Sequence, residues 1–157
     1  MTFSDIEMAY SRVCIFVLLT IFSACDGMMR RPPITATDFW NRYLTGIDQK
    51  AFSLRLDARN AVGGGAAIAA LSTSSEQLIE SLKTAGYPLE QASDLEVKLV
   101  LSRADNVAGS AGKPDWFNVP AGAESFWVTA QRGGAQVTVL AVPESKTALF
   151  VVVGDKL

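Results

Sequence analysis

Apolar and polar positions follow two periods along this chain, and the places where the period changes mark its elements. Residues 13–22 form a ten-residue apolar run, well short of the ~20 residues that cross a bilayer. Residues 26–33 are polar and end in Pro32-Pro33, the composition of a stiffened tether. Phe39, Trp40, Tyr43 and Leu44 then recur at helical spacing, with Thr35 or Thr37 placed to cap the helix and Gly46 to end it. Trp40 lies on that apolar face and reads as core. Phe52-Ser53-Leu54-Arg55-Leu56 alternates, which predicts a strand with one wet face, and residues 60–65 break it.

The short apolar stretch 66–71 predicts a buried strand. Ser74 or Ser75 is placed to cap a helix whose stripe is Leu78, Ile79 and Leu82, stopped by Gly86 and Pro88. Leu95-Glu96-Val97-Lys98-Leu99 alternates and predicts a strand over 95–101, although a helix beginning at Ser93 also fits. Residues 106–114 read as a glycine-bearing loop. Strands over 125–131 and 136–142 are joined by Arg132-Gly133-Gly134-Ala135, the strongest hairpin signal in the chain. A turn at 143–146 leads to the β-branched run 147–153, apolar on both faces and so a central strand. The expected class is α+β: a mostly antiparallel sheet with a C-terminal three-strand meander and one or two helices packed on one face.

Charge narrows the partners. The chain has 14 basic and 16 acidic residues among 157, too balanced for the basic surface that a nucleic-acid partner requires. Arg30-Arg31 is an adjacent basic pair at the foot of the domain, able to touch anionic headgroups or to lie in solvent. The chain contains no histidine, which removes the commonest general base and metal ligand. Gly63-Gly64-Gly65 lacks the lysine and hydroxyl residue of a phosphate loop and reads as a turn. Asp94, Glu96, Asp105, Asp115 and Glu124 are the carboxylates in or beside expected loops, and two of them could meet in a cleft. Each on its own reads as a solvated side chain. No run has the spacing of a calcium loop, and neither metal nor cofactor is expected.

The apolar run ends in Phe22-Ser23-Ala24-Cys25, and this arrangement resembles the signal peptide and lipobox of bacterial lipoproteins. A buried core helix over 13–24 is the alternative reading of the same residues. The resemblance implies cleavage before Cys25 and lipidation of that cysteine, its sulfur carrying diacylglycerol through a thioether, with fatty acyl chains such as palmitate. It also implies that Asp26, just after the cysteine, acts as a sorting residue favouring the inner membrane. Initiation at Met8 would leave Arg12 as the charged residue of the leader, the sign an export signal needs. Cys14 would depart with the leader, and acylated Cys25 would then be spared intermolecular disulfide formation in an oxidising compartment. The expected organisation is a signal peptide over 1–24, a tether over 25–33 and one α+β domain over 34–157.

For function, these features point to contact and not to turnover. With no imidazole in the chain, and with Cys25 acylated, the groups that usually move protons or attack substrates are gone. Trp116 and Phe117, between Pro114 and Pro120, form an aromatic loop that either binds a partner or plugs the end of the sheet. The expected function is a non-catalytic binding or accessory lipoprotein on the extracytoplasmic face of the cell membrane, with an envelope protein as its possible partner. The alternatives are an inhibitor or immunity-type protein that blocks an enzyme, and a carboxylate-dependent hydrolase.

Overall fold

Thr35 starts the first helix, α1 (Ala36–Tyr43): its hydroxyl oxygen accepts the Asp38 backbone N–H at 3.1 Å, which satisfies one orphan donor of the first turn. The structure, a computed structural model, describes residues 33–61 and 64–154. The leader, Cys25, Asp26, Arg30-Arg31 and Gly63 lie outside the described residues. A 3-10 turn (Gln49–Ala51) leads into β1 (Phe52–Ala61), which pairs with β2 (Gly64–Thr73). Both strands run further than their alternation alone indicates, and their ladder reaches Ala61 and Gly64.

The next helix, α2 (Leu78–Thr84), begins later than the serine signals predict. Ser75 does not cap it; its Oγ accepts the Gln77 backbone N–H at 3.1 Å in the preceding turn, and the N-cap position is Gln77 itself. The stripe is nevertheless as expected, with Leu78 and Leu82 buried and Ile79 partly so. Gly86, at φ +85°, ends the segment. A two-residue strand, β3 (Glu90–Gln91), follows.

Residues 94–108 form a helix, α3 (Asp94–Ala108), where the alternation of 95–101 favoured a strand. A capping box decides the matter: Ser93 Oγ accepts the Glu96 N–H at 3.4 Å, and the Ser93 N–H donates to the Glu96 carboxylate at 2.7 Å. Leu95 and Leu99, which gave the segment its strand-like alternation, are 78% and 43% exposed. The helix runs on into a 3-10 turn (Gly109–Ala111), so the expected loop begins several residues late.

The meander is as the sequence predicts. Strands β4 (Phe126–Arg132), β5 (Ala135–Val142) and β6 (Thr147–Gly154) are consecutive antiparallel neighbours. Gly133 and Gly134 both have positive φ, +57° and +80°, the backbone that a two-residue hairpin with the right twist requires. The six strands lie in the order β1-β2-β6-β5-β4-β3, all antiparallel, with β6 central. A local hairpin, β1–β2, is thus joined to a local meander, β4–β5–β6, along the β2–β6 seam.

The α+β class holds, and the helices cover both faces of the sheet. On one face α1 and α2 pack over Ala67, Ala69 and Leu71 of β2, Val137 and Val139 of β5, and Phe150 and Val152 of β6. There Phe39 meets Tyr43 at 5.0 Å between ring centroids, and Phe39 and Tyr87 each meet Phe150 at 5.9 Å, all edge to face. Trp40 is buried in the same cluster. On the opposite face α3 packs with Ile68, Ala70, Leu140, Leu149 and Val151. Among the described residues no helix is long and apolar enough to cross a membrane.

Candidate functional site

The face under α3 changes character along the strands, and register makes the change legible. Direct cross-strand neighbours there form three rows: Trp127, Leu140, Leu149 and Ala70; then Thr129, Thr138, Val151 and Ile68; then Gln131, Gln136, Val153 and Ala66. The first row is apolar and belongs to a packed cluster with Val97, Phe117 and Trp116. The second mixes hydroxyls with aliphatic groups. The third is polar on β4 and β5 and aliphatic on β6 and β2, and Val153 stands 49% exposed.

Helix α3 sets what lies above these rows. Val100, Ala104 and Ala108 form its buried stripe, at the three- to four-residue spacing of one helical face. Arg103, Asn106 and Val107 flank that stripe at the same spacing, on the side of the second and third rows. Between them and the sheet is a cavity of about 380 Å³, lined also by Ala66, Gln136, Thr138, Val151 and Val153. Ala66 has little side chain to fill its part of the floor.

Arg103 is the charged group of this cavity. Its Nη1 donates to Thr138 Oγ1 at 2.8 Å and reaches Thr129 Oγ1 at 3.5 Å, and the two threonine oxygens are 3.1 Å apart. Thr138 is only 2% exposed, so its hydroxyl depends on these bonds to offset the cost of burial. Among the described residues no carboxylate lies within ion-pair distance of Arg103. Its Nε and Nη2 have no hydrogen-bond partner there either. A guanidinium held at one nitrogen keeps donors that can meet an anion.

Two further recesses among the described residues are of a different kind. One of about 660 Å³ beside Lys83, Tyr87 and Glu90 is shallow. At its rim the Arg132 guanidinium stacks 4.2 Å over the Tyr87 ring and donates to the Ala85 carbonyl, so that cation is already engaged. A Cβ at Gly86 would collide with that guanidinium. Burial pushes the Tyr87 phenol up to about 12 against the opposing charge of Arg132, and its hydroxyl donates to the Tyr43 carbonyl at 2.6 Å. That arrangement is structural. A third recess, of about 400 Å³, lies where Asp48 and Phe52 face Ser75 and Glu80.

The aromatic loop divides its two residues. The turn closed by the Phe117 N–H on the Pro114 carbonyl, at 2.8 Å, carries the Phe117 ring into the core, where it is fully buried. Phe117 is therefore a packing residue, and its ring is not on a surface that a partner could touch. Trp116, 6.2 Å away between ring centroids, is partly exposed and lies against the same cluster. None of the carboxylates Asp94, Glu96, Asp105, Asp115 and Glu124 lines the cavity under α3. Asp94 and Glu96 sit in the first turn of α3, where Glu96 serves the cap, and Asp105 pairs with Lys113 at 2.9 Å. Among the described residues no group of three or more acidic or cysteine side chains is placed to hold a metal.

The residues that line the cavity were not singled out by their sequence. The available signal was the same-face series Gln136, Thr138, Leu140, Val142 on β5, polar at one end and apolar at the other. Such a change marks where a covering helix stops excluding water. Comparison with protein-family models, with curated proteins and with solved structures returns no match for the chain.

Proposed function

We propose that the chain is a membrane-anchored lipoprotein, lipidated at Cys25 and sorted by Asp26, whose folded domain is a non-catalytic binding or accessory protein of the cell envelope. The anchoring half of this reading rests on the apolar run and on Phe22-Ser23-Ala24-Cys25. The binding half rests on one observation: the cavity under α3 offers a guanidinium with unused donors and no group beside it suited to transfer a proton. Arginine stays protonated, and a threonine hydroxyl without a neighbouring base is a poor nucleophile. Such a site recognises and holds. Trp116, partly exposed at the other end of the same face, is the residue of the aromatic loop that a protein partner could reach.

Two measurements on the full chain test the two halves separately. Cys25→Ser should lose membrane attachment and fail to incorporate labelled palmitate. A wild-type chain that carries no lipid, with a variant that fractionates identically, overturns the anchor. Single alanine variants at Asp94, Asp105, Asp115 and Glu124 should each fully rescue a deletion strain. Loss of rescue by one of them, with unchanged stability, restores the hydrolase alternative.

A further inference from the structure

We infer that the cavity between α3 and the β2–β6–β5 floor binds a small organic monocarboxylate with a short aliphatic body, held at its charged end by Arg103. This deepens the binding-protein reading and rests on it, but it does not depend on the lipid anchor.

Three features fix the ligand class. The first is charge. Arg103 is the charged residue of the lining, so the site balances one negative charge, and its free Nε and Nη2 donors match the two oxygens of a carboxylate as a parallel fork. The Thr138 bond at 2.8 Å engages Nη1 and leaves Nε and Nη2 for the ligand, and a side chain already held loses less entropy on binding.

The second feature is polarity. Val151 and Val153 on β6, with Ala66 beside Val153 on β2, give the floor an aliphatic strip next to the charge. A bare inorganic anion would leave that strip in water, whereas an alkyl body would cover it. Covering apolar area is favourable at roughly 25 cal/mol per Å². The third is size. About 380 Å³ is near the lower end of the ~300–1,000 Å³ typical of small-molecule sites. It suits a short chain and not a long acyl tail.

The probe is hexanoate, titrated into the purified full chain by calorimetry and by amide shift changes. Hexan-1-ol supplies the same body without the charge, and inorganic phosphate supplies charge without the body. Saturable binding of hexanoate is expected, with shifts centred on α3 and on β5 and β6, and at least tenfold weaker binding of both controls. Arg103→Gln should weaken hexanoate at least tenfold with an unchanged circular dichroism spectrum. Ala66→Leu should block the cavity with Arg103 intact. Thr138→Val, which frees the guanidinium to swing, should weaken binding several-fold. Equal binding of hexanoate by wild type and Arg103→Gln overturns the assignment, as does phosphate binding as tightly as hexanoate. Absence of hexanoate binding overturns the ligand class while leaving the Cys25 labelling result, and with it the anchor, untouched.

Discussion

The two faces of this sheet are made by the same strands, yet one is closed by two helices over interlocked aromatic rings and the other by one helix that leaves a gap. On the closed face Phe39, Tyr43, Tyr87 and Phe150 meet edge to face, and their burial is complete. On the other face the apolar filling reaches only Ile68 and Val151 of the second row, and beside them Arg103 bridges α3 to Thr138. A small domain has limited apolar area with which to offset chain entropy. Concentrating it on one face leaves the second free to carry a cavity.

The contrast can be broken most forcefully at Phe150. Phe150→Ala removes the ring that Phe39 and Tyr87 share, and chemical denaturation should show a loss of about 3–5 kcal/mol. A loss no larger than that of a surface substitution would mean the closed face is not the stability reserve. Leu82→Ala, which opens the contact between α2 and the sheet, should cost about 2–5 kcal/mol by the same measurement. A small value would place Leu82 on the surface.

Alkaline titration sharpens the comparison without a mutation. The Tyr87 phenol is raised from its ordinary 10 to about 12 in the folded chain, so the stability linked to it is fully present below pH 10. It is lost as pH rises through about 12, by on the order of 2 kcal/mol. Tyr87→Phe should remove that alkaline dependence.

Smaller effects belong to the helix of the open face. Ser93→Ala deletes the hydroxyl half of its capping box and should cost ~1 kcal/mol. The backbone N–H and hydroxyl of Ser93 hold the Glu96 carboxyl below its usual range. Its contribution is therefore present above the ordinary carboxylate pKa and lost as pH falls through the lowered folded value. Glu96→Gln should flatten the acid limb of the stability curve, the smallest change of the set, and an unchanged limb would remove Glu96 from the cap.

Much of the fold could be read from local chemistry. Gly133-Gly134 announced the hairpin, the β-branched run 147–153 announced the central strand, and Leu78 and Leu82 announced the face of α2. The helix α3 was ambiguous because Leu95 and Leu99 are apolar residues left in solvent, which imitates a strand's alternation. Ser93 and Glu96, three residues apart, carried the correct signal. The start of α2 is hidden in the sequence because Ser75 makes a turn bond that looks the same there as a cap. Of the cavity, only the change from Gln136 and Thr138 to Leu140 and Val142 along β5 was legible. Its floor combines Ala66 with Val153 and Gln136, and no short-range pattern reveals which distant strands become neighbours.

The β2–β6 seam has a consequence for how the molecule assembles. Each half of the sheet pairs strands adjacent in sequence, whereas the seam joins Ser72 to Thr147 and requires the whole intervening chain to be looped out. Contacts of such separation slow folding, so the closing of the seam is the natural late step of the pathway. Ala66 comes from one half and Gln136 from the other, so the pocket does not exist until that step is complete. An occupant would therefore bind only the closed sheet and, by mass action, would protect the chain against reopening along this line.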